Sequence, residues 1–207
     1  MRDASQRVAT PPRGATMRAV ISYIDNMGRR DFLKASAVAA ALLAAPASLL
    51  ASRSAHAAVP EGIRFMSPSE YAVFERLMKV MLPLDGTPLV PLAQIPVLAT
   101  LDVALLGTMP PHILAGLKGG IAYFDEGPVA EHGKRFTELP DDDAARFCDT
   151  WADSTEPAQR ALAMGLKKLV GLAYWANPPT WEPLGYEGPV SERWGLKSLG
   201  NAPMPSA

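Results

Sequence analysis

Residues 157–176 read PAQRALAMGLKKLVGLAYWA, and the fold class follows from this stretch. Its apolar residues recur every three or four positions, as they do on one face of an α-helix. They are Leu162, Leu166, Leu169 and Ala173. The adjacent lysines Lys167 and Lys168 lie outside this apolar stripe. The stretch therefore predicts a helix from about Pro157 to Ala176 that buries one face.

Four further helices are predicted before this one. Ser67-Pro68-Ser69-Glu70 combines an N-cap serine, a proline at the first helical position and a capping-box glutamate, and Pro83 ends the helix that it opens. The other three run from about Gln94 to Leu106, from about Pro111 to Asp125, and from the opening at Thr137–Asp143 through Trp151. Because nothing after residue 58 alternates with period two, we expect an all-α fold, a compact bundle of about five short helices.

The N-terminal region has the pattern of an export signal. Residues 27–34 read MGRRDFLK, and the charged and apolar positions that matter are Arg29, Arg30, Phe32, Leu33 and Lys34. A run rich in Ala and Leu follows over residues 35–51, and the small-residue site at 55–57 predicts cleavage between Ala57 and Ala58. The arginine pair assigns the signal to the twin-arginine class, which predicts export to the periplasm.

This signal divides the chain into four regions. We interpret residues 1–26 as disordered or as a mis-assigned start, residues 27–57 as the signal peptide, residues 58–176 as the helical domain, and residues 177–207 as an extended C-terminal arm. Residues 58–66 are expected to be a linker. An uncleaved membrane anchor is the alternative for the apolar run, but that run is rich in Ala and is interrupted by Pro46.

The charge of the processed chain argues against two classes of partner. Residues 58–207 hold 12 Lys or Arg and 18 Asp or Glu, a formal net charge of −6. A surface of this sign disfavours nucleic acid and anionic lipid.

The single cysteine, Cys148, has two interpretations. It lies on the apolar face of a predicted helix, where free cysteine is usually an inert buried thiol. The alternative is an intersubunit disulfide, since an odd cysteine in an exported protein often pairs with another chain.

The sequence offers little for catalysis or for cofactor binding. Beyond the signal only His112 and His132 remain, and no zinc, haem, nucleotide or nucleophile motif is present. The Asp141–Asp143 run lacks the spacing of a calcium loop and suits the first turn of a helix. We therefore expect no catalytic, metal-binding or cofactor-binding residue here. The alternative is a stand-alone enzyme or ligand-binding domain built on His112, His132, Glu131 and the Asp141–Asp143 run.

Large aromatic residues gather near the C-terminus. They are Tyr174, Trp175, Trp181, Tyr186 and Trp194. One interpretation is that they cover this domain's own core, and the other is that they form a partner surface, where Trp and Tyr are over-represented. Both can hold for different residues of the group.

The chain resembles the gluconate 2-dehydrogenase subunit 3 family over most of residues 67–190. The matching features are the twin-arginine leader, Phe136-Thr137-Glu138-Leu139 before a helix that contains Arg146 and Trp151, and the ending Tyr174…Pro179-Thr180-Trp181…Leu184-Gly185-Tyr186-Glu187-Gly188-Pro189. The ending is the more specific feature, because many exported proteins share the leader.

The resemblance implies a non-catalytic small subunit of a flavin-dependent dehydrogenase. Its partner would be a large FAD-containing subunit of the glucose–methanol–choline type, often joined by a haem-containing cytochrome c subunit, and it would contact the membrane only through that complex. The small subunit would support folding and export of the large one, which oxidises gluconate, glucose, fructose or sorbitol. The expected partner interface falls on Trp181, Gly185, Tyr186, Gly188 and Pro189.

Overall fold

A computed structural model describes residues 22–23 and 59–196 of the chain. Every regular element in these residues is helical, and none of them is a strand, which confirms the all-α fold. The predicted signal peptide and the cleavage site between Ala57 and Ala58 lie outside the described residues. The same holds for most of residues 1–26 and for the chain beyond residue 196.

Seven α-helices occur in the described part of the chain. They are α1 (Pro68–Met81), α2 (Val97–Thr100), α3 (Pro111–Glu126), α4 (Val129–His132), α5 (Asp141–Ala152), α6 (Pro157–Trp175) and α7 (Val190–Arg193). Helix α2 continues into a π-helical turn, Leu101–Leu105, and a 3₁₀ turn, Leu106–Thr108. The five longer helical runs, α1, extended α2, α3, α5 and α6, correspond to the five predicted helices. None of the described helices is both long and apolar enough to cross a membrane.

Helix α1 begins as its sequence predicts. The Ser67 hydroxyl accepts a hydrogen bond from the backbone amide of Glu70 at 3.4 Å, and the Glu70 carboxylate accepts one from the amide of Ser67 at 2.8 Å. This reciprocal capping box satisfies two donors that a helix start leaves unpaired. The helix ends at Met81, two residues before Pro83, which cannot continue it.

Helix α6 lies at the centre of the bundle and contacts α1, α2, α3 and α5. Its predicted stripe is buried as expected, since Leu162, Leu166, Leu169 and Ala173 are each at most 2% exposed. Burial of a leucine side chain of this kind contributes roughly 1.5–3 kcal/mol. This apolar face is therefore the seam around which the other helices pack.

An aromatic cluster joins α3 to α5. The ring of Phe124 lies 4.9 Å from that of Phe136 and 5.1 Å from those of Phe147 and Trp151, centroid to centroid, each in an edge-to-face arrangement. Gly127, directly after α3, lets the backbone approach this cluster, because a Cβ there would overlap the rings of Trp151 and Phe147. Phe136 and Trp151, two of the residues on which the family resemblance rests, are thus core residues of this domain.

The segment predicted to be a linker is in part fixed to the domain. The buried carboxylate of Asp102 accepts hydrogen bonds from the backbone amides of Arg64, Phe65 and Met66 at 2.7, 2.9 and 2.9 Å. Lys118 Nζ donates to the Phe65 carbonyl at 2.6 Å. The linker interpretation is therefore wrong for residues 64–66, because a buried acceptor on another element satisfies their backbone donors.

Two predicted boundaries differ from the structure. The second helix begins at Val97 and not near Gln94, since Pro96 lacks an amide hydrogen and suits the position just before a helix. The C-terminal arm is less extended than expected, with 3₁₀ turns at Pro178–Thr180 and Glu182–Leu184 and the short helix α7. Pro178 is the first residue of one turn and Pro183 is the second residue of the other, and the fixed φ of proline suits both turns.

Candidate functional site

The two histidines do not form a site together. His112 is exposed in the first turn of α3, and His132 is exposed at the end of α4, beyond the opposite end of α3. A helix of this length spans about 24 Å. Glu131 lies beside His132, with 4.0 Å between its carboxylate and Nε2. No group of three or more His, Cys, Asp or Glu side chains within the described ranges is placed to hold a metal ion.

The Asp141–Asp143 run serves the start of α5. Asp141 pairs with the guanidinium of Arg76 on α1, and Asp143 pairs with Arg146 one turn further along α5. Arg76 also donates to the carbonyl of Leu139. These carboxylates face cations of the same domain and the positive end of the helix dipole, in agreement with the helix-start interpretation.

Cys148 is a buried thiol on α5, 6% exposed. Burial, helped by the neighbouring charge of Asp149, raises the pKa of this thiol to about 12. Since the thiolate is the reactive form, the side chain is unreactive in this environment. The structure thus agrees with the inert-thiol interpretation. The intersubunit disulfide stays a prediction, and it would require that Sγ become accessible.

The segment after α6 is anchored by a buried asparagine. The Asn177 side-chain amide donates to the carbonyl of Ala173 at 2.7 Å, and its oxygen accepts from the Thr100 hydroxyl at 3.5 Å. The Thr180 hydroxyl donates to the Asn177 carbonyl at 2.7 Å. Tyr174, also buried, donates its hydroxyl to the carbonyl of Val90 at 2.9 Å. Residues 174–180 therefore form a fixed base for the chain from residue 181 onward.

Trp181 and Tyr186 meet above this base. Their rings are 5.3 Å apart, centroid to centroid, in an edge-to-face arrangement. The Trp181 indole donates to the carbonyl of Trp175 at 2.7 Å, and the Tyr186 amide donates to the Trp181 carbonyl at 3.1 Å. Gly185 makes the intervening turn at φ +65°, a conformation that costs glycine least. The aromatic pair is held by main-chain contacts on both sides.

Beside this pair lies an open, shallow cleft of about 430 Å³. Its walls are Pro178, Trp181, Glu182, Gly185, Tyr186 and Glu187. It therefore combines aromatic surface with two carboxylates. A volume of this size is within the usual range of ligand clefts, about 300–1,000 Å³.

Large apolar side chains are exposed along residues 184–196, and we call this group the C-terminal apolar row. Its members are Leu184 (56% exposed), Tyr186 (42%), Val190 (47%), Trp194 (68%) and Leu196 (58%). Exposed apolar residues that stand singly are ordinary, but five within thirteen consecutive residues are typical of an interaction surface.

The predicted interface residues separate into two groups. Gly185 and Tyr186 are exposed and Trp181 is partly exposed, whereas Gly188 and Pro189 are buried. Gly188 instead supports the aromatic pair, since a Cβ there would lie 3.3 Å from the Trp181 ring and its φ is +94°.

The aromatic residues near the C-terminus divide in the same way. Tyr174 is in the core, while Trp194 is the most exposed of the large apolar side chains that the structure describes. Reasoning from sequence missed Leu184, Val190 and Leu196 as surface residues. The sequence feature that could have identified them is their closeness along the chain to the aromatic residues.

Comparison with known proteins identifies the leader. Residues 26–46 match the family described as the TAT (twin-arginine translocation) pathway signal sequence. The match includes the arginine pair and the Phe-Leu-Lys that comes after it, and confirms the predicted signal. No curated protein and no solved structure matches the chain. The chain is therefore exported by the twin-arginine pathway, to the periplasm.

Proposed function

We propose that this chain is the non-catalytic small subunit of a periplasmic FAD-dependent sugar or alcohol dehydrogenase. Its role is to support folding and twin-arginine export of the flavoprotein subunit. The observation that carries the proposal is the C-terminal apolar row, whose side chains are 42–68% exposed and whose member Tyr186 belongs to the aromatic pair with Trp181. A partner that covers this row would remove its apolar area from water, which stabilises a complex by about 25 cal/mol per Å² before the costs of association.

The export route supports a subunit role. The twin-arginine pathway carries folded proteins, and its signal is on this chain. A flavoprotein that takes up FAD in the cytoplasm must cross the membrane folded, and it can do so bound to a small protein that supplies the signal. In that arrangement one leader serves two chains.

The sequence resemblance gives the partner its chemical class. It points to a large subunit of the glucose–methanol–choline type, with FAD bound in that subunit, and to a haem-containing cytochrome c subunit that accepts the electrons. The substrate would be gluconate, glucose, fructose, sorbitol or a related alcohol, oxidised in the large subunit. The small subunit would contribute no group to that reaction.

Deletion of the signal tests this division of labour. We would remove residues 27–57, express the chain together with its flavoprotein partner in the native host, and assay dye-linked dehydrogenase activity in the cytoplasm and the periplasm. We expect the activity to remain in the cytoplasm. The control variant is Arg53→Lys. It lies outside the arginine pair and keeps a positive charge at its position, so it should leave export intact. Flavoprotein that reached the periplasm without this leader would refute the proposal.

A further inference from the structure

A tyrosine before the export signal contacts the exported domain. Of residues 1–26 the structure describes 22 and 23, and the Tyr23 side chain is partly buried against the hydrophobic core. Its hydroxyl donates a hydrogen bond to the carbonyl of Thr108 at 3.4 Å. Thr108 is the last residue of the 3₁₀ turn that continues α2, and the last carbonyls of a helix lack partners within that helix. Tyr23 therefore binds at a helix end of the exported domain.

The chain after the signal is fixed to the same run of residues. The Phe65 ring packs over Gly107, where a Cβ would lie only 2.7 Å from a ring carbon. The backbone amides around Phe65 donate to Asp102, six residues before Thr108. The segments on both sides of the signal are thus attached to one short run, and two of the attachments fall on the neighbouring residues Gly107 and Thr108.

The contact of Tyr23 depends on the folded domain. Leu105 and Leu106, just before Thr108, are buried and hold the end of this run against the core. Tyr23 and Thr108 are 85 residues apart in sequence. Joining the ends of such a segment in the unfolded chain costs more entropy than one hydrogen bond returns. The contact therefore forms when the domain is folded and is lost when it unfolds.

The contact also depends on the intact leader. Before cleavage Tyr23 and Thr108 belong to one chain, so they meet at the high effective concentration of an intramolecular contact. Cleavage between Ala57 and Ala58 would make the same contact intermolecular. One partly exposed hydrogen bond and one ring do not offset the entropy of association, so the leader would leave. Docking of Tyr23 is therefore a property of the precursor, the chain that still carries its signal.

We propose that docking of Tyr23 on Thr108 is an autoinhibitory contact that restrains the export signal of the folded precursor. Arg29 follows Tyr23 by six residues, so the chain keeps it within about 22 Å of this anchor. A receptor that binds the arginine pair must compete with the anchor, and its apparent affinity falls with the fraction of undocked chains. The inference rests on the twin-arginine route and is independent of the proposed dehydrogenase role.

The first test observes the contact in the purified, ¹⁵N-labelled precursor. Tyr23→Ala should shift the amide signal of Met109, because this amide shares a peptide unit with the Thr108 carbonyl. The control is Tyr123→Ala, which removes an exposed tyrosine near the far end of α3 and should leave that signal unchanged. An unmoved Met109 signal in Tyr23→Ala would overturn the proposal. The same spectra report whether each variant is folded.

Pulse-chase processing in the native host measures the restraint. We expect the Tyr23→Ala precursor to be processed at least about twofold faster than wild type. Tyr23→Phe, which loses the hydrogen bond and keeps the ring, should fall between them. The control joins residues 1–57 to green fluorescent protein, which offers no Thr108, so Tyr23→Ala should not change its rate. Equal or slower processing of the Tyr23→Ala precursor, or the same acceleration in the fusion, would overturn the proposal.

The inference also requires that the host makes a precursor that contains Tyr23. Intact mass spectrometry of the unprocessed chain, isolated from the host, measures where it begins. A chain that begins at Met1 or Met17 agrees with the proposal, and one that begins at Met27 overturns it.

Discussion

The carboxylate of Asp102 accepts a hydrogen bond from the backbone amide of Met66 at 2.9 Å, and both residues are buried. The same carboxylate accepts from the amides of Phe65 and Arg64. This contact brings the first part of the processed chain onto the π-helical turn that continues α2. The exported domain is thereby ordered to within a few residues of the predicted cleavage site.

Asp102→Asn should destabilise the exported domain. The asparagine amide group would turn a donor toward at least one backbone amide that now has an acceptor, at a cost of about 1.5–3 kcal/mol in the free energy of unfolding. Urea unfolding measures this loss, and trypsin should cut faster after Arg64. Asp85→Asn removes the same charge from an exposed loop position and serves as the control. Equal stability of the two variants would contradict the account of this contact.

Two glycine substitutions should have opposite effects. Gly127→Ala places a methyl group against Trp151 and Phe147, and overpacking of this kind costs about 1–3 kcal/mol. Gly119→Ala lies within α3, where a Cβ meets nothing within 4 Å, and alanine favours a helix over glycine by about 0.5–1 kcal/mol. Thermal melting compares both with wild type. A more stable Gly127→Ala variant would show that the aromatic cluster is more loosely packed than described.

The Cys148 thiol should react slowly in the native protein. Its pKa is raised to about 12 by burial, so at pH 8 we expect alkylation by iodoacetamide at least about a hundredfold slower than for free cysteine. In urea the rate should return to the ordinary value. Rapid reaction of the native chain would contradict this burial.

The same shift makes stability depend on pH. The folded state holds the thiol proton more tightly than the unfolded state does. The protonated thiol of Cys148 therefore contributes fully to the free energy of unfolding below the ordinary pKa of 9.0, and this contribution is lost as the pH rises toward 12. Wild type should therefore lose stability over that window relative to Cys148→Ala.

A partner-sized band on a non-reducing gel of the native complex, lost on reduction, would establish the intersubunit disulfide instead.

The arginine pair should be required for export. Changing Arg29 and Arg30 together to lysine keeps both charges but removes the pair that defines the signal, so unprocessed chain should accumulate in the cytoplasm. Immunoblots of the cytoplasmic and periplasmic fractions measure the outcome. Normal processing of the double variant would show that another route carries the chain.

Helix positions could be predicted from local patterns, because each depends on residues close in sequence. The capping box at Ser67 and Glu70 and the apolar stripe of α6 are of this kind. The role of Asp102 could not be predicted in this way. Its partners lie 36–38 residues away, and a single aspartate within an apolar helix gives no sign of which donors it meets.

The candidate site was predictable only in part. The composition of the C-terminal segment indicated an aromatic surface, and Tyr186 is exposed as that interpretation requires. The burial of Gly188 and Pro189 depends on how the turn at Gly185 returns the chain toward Trp181, which sequence does not fix. The cleft formed with Glu182 and Glu187 arises from the same turn.

The most direct test of the proposed function is purification of this chain, tagged at its C-terminus, from the periplasm of its native host. The visible spectrum and the mass-spectrometric identity of stoichiometric components would be recorded together. We predict a yellow preparation with a flavin spectrum and one large flavoprotein in equal amount. A colourless, monodisperse monomer would contradict the subunit role.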